Sequence, residues 1–198
     1  MDIAFAADKG GVGKTTLAFH VASRLRQLGR SVALVDLDRR GASSWWARQG
    51  DPPWLPAFTL DELGGEAPDF PVRVWDTPAH PGADMQETLA QVCDVVVVVT
   101  QPDPIGWLAA AELAGTLHGL GGRAAVVVNG VHPRSTPDSA GFAQTGAVAL
   151  RAFVRQYTCY RHAMWDGRAV CDYPYVSADQ AWSDIAALTA ELLALVEN

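Results

Sequence analysis

The sequence predicts an α/β fold, with a mostly parallel central sheet and helices on both faces. The first observation is a series of short apolar runs, typical of strands buried on both faces, at residues 3–6, 31–35, 72–75, 95–100 and 124–128. The second is that helical patterns separate these runs, which indicates parallel strands joined by crossover helices. The third is that no internal repeat and no domain boundary interrupts the chain, so we expect one domain over residues 1–198.

Apolar spacing predicts the helices between the strands. Residues 15–28 carry apolar side chains at helical intervals of four, four and three, namely Leu17, Val21, Leu25 and Leu28. Gly29 follows as a typical helix terminator. Further helices are predicted at residues 84–91, 106–117 and 178–196, and one more strand at 147–154. Residues 52–71 are rich in proline and glycine, so we expect a loop there with a short helix near Leu60.

Composition excludes several classes of protein. Of the 198 residues, 49% are hydrophobic, which is enough for one buried core, and the longest apolar run is far too short to cross a bilayer. The first seven residues lack the basic stretch of a secretory signal, and the three cysteines have no spacing typical of disulfides or metal sites. We therefore expect a cytoplasmic protein without a membrane partner.

Charge is distributed unevenly along the chain. The net charge of −7 by itself argues against a nucleic-acid binder. Residues 123–168, however, carry six arginines against two aspartates, a balance of +4, whereas the remainder carries nine basic and twenty acidic residues, a balance of −11. These arginines form either one electrostatic face or a scattered set paired with acids elsewhere.

A glycine-rich loop lies between the first predicted strand and the first helix. It has the sequence KGGVGKTT, which comprises Lys9, Gly10, Gly11, Val12, Gly13, Lys14, Thr15 and Thr16. Glycines let backbone N–H groups approach phosphates closely at a helix N-terminus. Lys14 is placed to reach the β- and γ-phosphates, and the Thr15 hydroxyl to ligate Mg²⁺. The sequence therefore predicts a single-domain P-loop NTPase that binds ATP and Mg²⁺, although Asp8 stands where the common motif has its first glycine.

Four motifs in order resemble the ParA/MinD family of ATPases, whose phosphate loop is a deviant Walker A motif. Lys9 stands in the place of that family's signature lysine, which reaches across a nucleotide-sandwich dimer to the partner's phosphates. Asp36 and Asp38 follow the second strand, where the family has D-x-D, although two arginines replace the family's following Pro-Gln. The sequence D-T-P beginning at Asp76 resembles the D-x-P switch loop, and residues 100–104 (TQPDP) resemble the family's loop at the dimer face.

The resemblance implies a role for each of these residues. Asp38 would orient the attacking water, and Asp76 would hold Mg²⁺ through a water molecule. The expected catalytic residues are Lys9, Lys14 and Asp38, and the expected metal-binding residues are Thr15, Asp36 and Asp76. Asp36 alone is also compatible with a helix cap or a turn.

Two further features leave alternatives open. Asn129, at the end of a predicted strand, is either an adenine contact or a turn former before Gly130. The adjacent Trp45 and Trp46 form either a partner surface or a cover for the core.

The resemblance narrows to the small, single-domain ParA-type ATPases. Because the phosphate loop begins at Lys9, we expect no N-terminal helix-turn-helix domain before it. Residues 169–198 carry five acidic residues and no basic one, unlike the basic membrane helix of MinD-like proteins. The cysteines do not form the paired set that metal-cluster relatives need.

The resemblance therefore implies an ATPase, weak without its partner, that forms an ATP-dependent homodimer and binds non-specific DNA. It would associate with the nucleoid when bound to ATP, and partition or position a plasmid, chromosome or other cargo with a ParB-like or cargo-adaptor protein. The expected DNA contacts are Arg155, Arg161 and Arg168. The alternative is a P-loop ATPase that serves cofactor or metal-centre maturation or small-molecule synthesis.

Overall fold

The computed structural model describes residues 1–49, 53–137 and 148–197. Within them, seven strands form one sheet: β1 (Asp2–Ala6), β2 (Val32–Asp36), β3 (Ala57–Thr59), β4 (Val72–Asp76), β5 (Val95–Thr100), β6 (Ala124–Val131) and β7 (Val148–Arg155). Their order across the sheet is β3-β2-β4-β1-β5-β6-β7, and all neighbours run parallel. The predicted fold class is confirmed.

The described residues also form seven helices: α1 (Lys14–Gln27), α2 (Ala42–Arg48), α3 (Leu60–Leu63), α4 (Ala83–Val92), α5 (Pro104–Gly119), α6 (Cys159–Trp165) and α7 (Ala178–Val196). Side chains of α1, α2, α6 and α7 join the core on one face of the sheet. Side chains of α4 and α5 join the core on the other face. None of the helices in the described part of the chain combines the length and the apolar character that crossing a bilayer requires.

Strand alternation divides the buried residues between the two cores. In β1, Ile3 and Phe5 belong to the core under α1, whereas Ala4 and Ala6 belong to the core under α5. Both sets are fully buried, because a strand covered on both faces has no solvent side. This explains why the central strands have continuous apolar sequences.

The parallel arrangement brings the carboxyl ends of β1, β2 and β4 to one edge of the sheet. Phe5 in β1 and Asp36 in β2 both pair with Asp76 of β4. The phosphate loop follows β1, and both aspartates end their strands, so the fold gathers these groups at this edge.

Most predicted elements match the structure within one or two residues. The exceptions are the strand β3 and the helices α2 and α6, which the sequence patterns did not indicate. The predicted strand 147–154 corresponds to β7, and its first residue lies outside the described residues. The predicted loop at 52–71 contains β3 as well as the short helix α3, and residue 52 also lies outside the described residues.

Candidate nucleotide-binding site

The phosphate loop joins β1 to α1. Two glycines have left-handed backbone angles, with φ of 77° at Gly11 and 99° at Gly13, a region that residues with a side chain rarely adopt. α1 begins directly afterwards at Lys14, and no side chain among the described residues caps its N-terminus. The first backbone N–H groups of α1 are therefore available to an anion, as at other phosphate sites on helix N-termini.

Asn129, near the end of β6, holds this loop in place. Its Nδ2 donates a hydrogen bond of 2.6 Å to the Val12 carbonyl. A Cβ atom on Gly13 would lie 2.1 Å from the same nitrogen, so a side chain there would displace the amide as well as strain the backbone. Asn129 therefore positions the phosphate loop, a role that the sequence did not indicate. Its contact with adenine stays a prediction.

Lys14 lies among carboxylates at the start of α1. Its side chain is buried. Burial lowers the pKa of Lys14, while the charges of Asp76 and Asp38 raise it. The structure thus brings the predicted phosphate-binding lysine and two predicted site aspartates to one place.

Asp76 is a buried carboxylate without a counter-charge in close contact. It is 1% exposed, and neither of its oxygens makes a hydrogen bond of normal geometry with the described residues. Desolvation raises the pKa of Asp76 to about 7, and the charge of Asp36 also raises it. The hydroxyls of Thr15 and Ser43 and the charge of Lys14 lower this pKa, but by less. A carboxylate in this state fits a hydrated cation, which would supply the missing donors and the opposite charge.

The groups near Asp76 therefore fit Mg²⁺ bound beside the phosphate loop. Magnesium prefers oxygen ligands and keeps several of its waters. The Thr15 hydroxyl and the Asp76 carboxylate are such oxygens, and the Thr15 hydroxyl is near enough to lower the pKa of Asp76.

Asp36 uses both carboxylate oxygens to hold the backbone. Oδ1 accepts a hydrogen bond of 3.1 Å from the Asp38 N–H, and Oδ2 accepts one of 2.9 Å from the Ser44 N–H in the first turn of α2. Asp38, which is partly buried, accepts from the Arg40 N–H at 3.0 Å. Asp36 thus makes the contacts of a turn and helix-capping residue, the alternative role that its sequence position allowed. Its place among the Mg²⁺ ligands stays a prediction.

The loop after β4 is tied to the end of β1. The N–H and the hydroxyl of Thr77 both donate to the Phe5 carbonyl, at 3.2 and 2.9 Å. The His80 N–H donates to the Ala7 carbonyl at 3.0 Å, and its Nδ1 lies 3.1 Å from the Asp8 carboxylate. Asp8, the position that departs from the common motif, is thus in contact with the loop after Asp76.

A cavity of about 490 Å³ opens beside the phosphate loop, toward β6 and β7. Its lining includes Gly13, Thr16, Asn129, Tyr157 and Tyr160. Its volume is in the range of small-ligand sites, and its mixture of rings and polar groups suits a nucleoside. Sequence reasoning missed the two tyrosines; their place just beyond a predicted strand end is the signal that could have indicated them.

Two of the three arginines expected at DNA line this same cavity. These are Arg155, the last residue of β7, and Arg161, which follows it in α6. They line the cavity because β7 ends at the edge of the sheet that carries the phosphate loop. Arg155 also lies 3.4 Å from the Asp184 carboxylate, which offsets its charge. Arg168 is placed elsewhere, where its carbonyl accepts a hydrogen bond from Trp46 Nε1. Arg161 and Arg168 are exposed.

Lys9 lies on the surface of the phosphate loop, beside the N-terminus of α5. Lys9 and Gly106 line the same small cleft. The neighbouring Ile105 and Leu108 are 77% and 73% exposed. Exposed apolar side chains close in sequence to a residue that shares this cleft with Lys9 form a surface that suits a second protein chain.

The two adjacent tryptophans have different environments. Trp46 is fully buried and stacks on Phe19, with ring centroids 4.1 Å apart. Trp45 is 49% exposed. Trp46 thus belongs to the core, and Trp45 is the one available to a partner.

Comparison with known proteins agrees with this geometry. Residues 3–157 match the family described as the CobQ/CobB/MinD/ParA nucleotide binding domain. The chain is 31% identical to maintenance of carboxysome distribution protein A from Gloeobacter kilaueensis, over 96% of this chain and 93% of that protein. It is 30% identical to the protein of the same name from Halothiobacillus neapolitanus, over 85% of each.

Among solved structures, the fold resembles septum site-determining protein MinD from Pyrococcus horikoshii, complexed with Mg-ADP. The TM-score is 0.71, with 17% identity over 98% of this chain and 96% of that one. The family match covers most of the sheet and the whole phosphate loop. This chain therefore belongs to the ParA/MinD family of P-loop ATPases.

Proposed function

We propose that this chain dimerises on binding ATP, binds non-specific DNA as a dimer, and positions a cargo together with an activating partner protein. The observation that carries the proposal is its similarity, over most of its length, to two proteins named for carboxysome distribution. We therefore place a carboxysome or a comparable cargo ahead of a plasmid or a chromosome.

Hydrolysis in this proposal depends on positioning and on charge. The first N–H groups of α1 and the Lys14 ammonium bind the β- and γ-phosphates, where no side chain of the described residues competes for these N–H groups. Thr15 and Asp76 hold Mg²⁺, which when bound neutralises phosphate charge. Asp38, fixed by the turn that Asp36 holds, orients the attacking water. Such hydrolysis is slow without assistance, on the order of 10⁻⁴ to 10⁻² per second.

Dimerisation uses the surface around Lys9. This lysine extends from the phosphate loop toward a second subunit, and Ile105 and Leu108 supply apolar area beside it. Because Lys9 would contact the partner's phosphates, the dimer needs ATP in both sites.

DNA binding in this proposal relies on the two exposed arginines of the predicted set. Arg161 and Arg168 in each of two subunits give the dimer four phosphate contacts. A monomer has only two of them, which are too few to hold DNA at physiological salt. Arg155 contributes less, because Asp184 offsets its charge.

The test is retention of a labelled non-specific DNA duplex at rising salt, with ATP, with ADP and without nucleotide. We expect retention only with ATP, with a log–log salt slope of about −3.6 for four phosphates. Arg161→Gln and Arg168→Gln should each bring the slope about 1.8 closer to zero, since each removes two contacts per dimer. Arg30→Gln, which removes an exposed charge outside the predicted set, is the matched control and should change nothing.

The Lys14→Ala variant, which lacks the phosphate-binding charge, should not be retained under any condition. If the wild-type protein with ATP does not bind DNA even at low salt, the proposed positioning function is wrong. An ATPase that serves cofactor maturation or small-molecule synthesis then becomes the better account.

A further inference from the structure

A second cavity, of about 400 Å³, lies on the α4 face of the sheet, away from the phosphate loop. One wall is an apolar stripe along α4, formed by Met85, Leu89 and Val92 at helical spacing. The rest of the lining includes Leu60 of α3. Leu60 and Val92 are each 51% exposed, so the apolar lining continues to the surface.

The stretch of chain that supplies most of this cavity's lining is rich in acidic residues. Residues 57–94 contain eight acidic residues and one basic residue, a balance of −7, whereas the remaining residues contain fourteen of each. The one basic residue, Arg73, is paired with Asp2. Asp84 lines the cavity, and the exposed Asp61 and Glu66 are next to lining residues in sequence. An apolar cleft with an acidic rim is complementary to a cationic, amphipathic ligand.

The cavity also touches the segments that carry the site aspartates. Leu37 lies between Asp36 and Asp38 in sequence and lines the cavity. Its N–H donates a hydrogen bond of 2.9 Å to the Asp76 carbonyl. A side chain that enters the cavity therefore contacts the residue that links the two aspartate motifs.

We propose that this cavity is the docking site for a cationic amphipathic helix of a partner protein. The apolar face of that helix enters between α4 and α3, and its lysines or arginines meet the acidic rim. The identification of this partner with the activator rests on the proposed function, through the contact with Leu37. The binding itself requires neither DNA nor a dimer.

The probe is a labelled 14-residue peptide of leucine and lysine, with leucines at helical spacing, measured by fluorescence anisotropy without nucleotide. Two control peptides keep the length, one with glutamate for lysine and one with alanine for leucine. Thr88→Trp places a large side chain at an exposed lining position. Asp84→Lys reverses a rim charge, and Glu112→Lys makes the same change in net charge on exposed α5 surface.

We expect only the leucine-lysine peptide to bind the wild type. Thr88→Trp should weaken binding at least about tenfold, the range expected for one excluded apolar side chain. Asp84→Lys should also weaken it at least about tenfold, because it brings like charges together at the rim. Glu112→Lys should leave binding unchanged. Circular dichroism checks that each variant folds, and Thr88→Trp keeps the test independent of the helix-end charge that Asp84→Lys alters.

Equal affinity of Thr88→Trp and wild type would overturn the proposal, because the peptide then binds elsewhere. An equal loss in Glu112→Lys would also overturn it, since only net charge then matters. If the nucleotide-free wild type is a dimer by light scattering and Thr88→Trp is a monomer, the occupant is a second copy and the proposal is wrong. Failure of DNA retention leaves the peptide result standing, so the two proposals fail separately.

Discussion

Asn129 joins two parts of the nucleotide site through one hydrogen bond, from its amide to the Val12 carbonyl. Asn129→Asp replaces this donor with an acceptor facing the carbonyl, so we expect ATP affinity to fall about 10- to 100-fold. Asn129→Ala, which only removes the bond, should cost about fivefold. Calorimetry with ATP and GTP is the measurement. Equal relative losses for both nucleotides support loop positioning, and a loss confined to ATP indicates adenine recognition instead.

Asp36 and Asp38 are separated by one residue and have different contacts, so their variants should differ. We expect Asp38→Ala to bind ATP as the wild type does, to hydrolyse it poorly and to accumulate as a dimer. Asp36→Ala removes acceptors from the Asp38 and Ser44 N–H groups, so it should also lower stability by about 1–3 kcal/mol. ATP turnover, light scattering and thermal unfolding distinguish the two. Wild-type turnover in Asp38→Ala would show that Asp38 does not orient the water.

The N-terminus of α5 exposes two large apolar side chains beside the phosphate loop. Asp103 caps this helix by accepting from the Gly106 N–H at 2.8 Å, and Ile105 and Leu108 in its first turns are 77% and 73% exposed. Leu108→Glu should therefore leave ATP binding intact but keep the protein monomeric with ATP and Mg²⁺. Val176→Glu, at a position that is 95% exposed, is the control. A Leu108→Glu dimer as stable as the wild type would exclude this surface.

The sequence predicted those helices and strands whose burial leaves a continuous or periodic apolar pattern. β5 is buried throughout and α7 has a clear apolar face, so both were predicted within a residue. β3 has three partly buried residues at the sheet edge, too few for a pattern. α2 combines buried Trp46 with buried serines that no hydrophobic pattern detects. Tertiary contacts, not local propensity, determine these elements.

The site follows the same rule. The phosphate loop and the strand-end aspartates are short contiguous motifs, so their positions could be predicted from the sequence. Asn129 contacts Val12 across 117 positions, and Arg155 pairs with Asp184 across 29, and neither pairing leaves a local signal. The two exposed apolar residues on α5 indicate a surface only in the folded chain, where Gly106 of the same helix and Lys9 line one cleft.

For the molecule as a whole, two buried titratable groups act on stability in opposite directions. His20 of α1 is fully buried; its Nε2 accepts from the Val170 N–H at 3.2 Å, so its Nδ1 carries the proton and donates to the Thr16 carbonyl at 2.7 Å. Desolvation lowers the pKa of His20 to about 4, although the Thr16 carbonyl opposes this. The unfolded chain then binds a proton below pH 6.5 that the folded chain excludes, so this group's stability is lost as pH falls from 6.5 to 4.

Asp76 has the opposite effect over almost the same range. Its pKa is raised from 3.8 to about 7, chiefly by desolvation. The folded chain therefore keeps a proton that the unfolded chain releases, and stability is lost as pH rises from about 4 to 7. From these pKa shifts, the free energy of unfolding changes by about 4 kcal/mol for Asp76 and about 3 kcal/mol for His20. The two contributions largely cancel in the nucleotide-free protein.

The cancellation predicts that single variants will reveal opposite slopes. Asp76→Asn removes the carboxylate contribution, so its melting temperature should fall more steeply than that of the wild type between pH 6.5 and 4.5. His20→Gln leaves only the Asp76 contribution, so its melting temperature should rise, or fall less, over the same interval. Comparing slopes rather than absolute values separates titration from lost packing. The measurement is thermal unfolding without nucleotide or Mg²⁺, with Glu112→Gln as an exposed-carboxylate control. Parallel curves for all four proteins would mean that neither buried group titrates as its surroundings indicate.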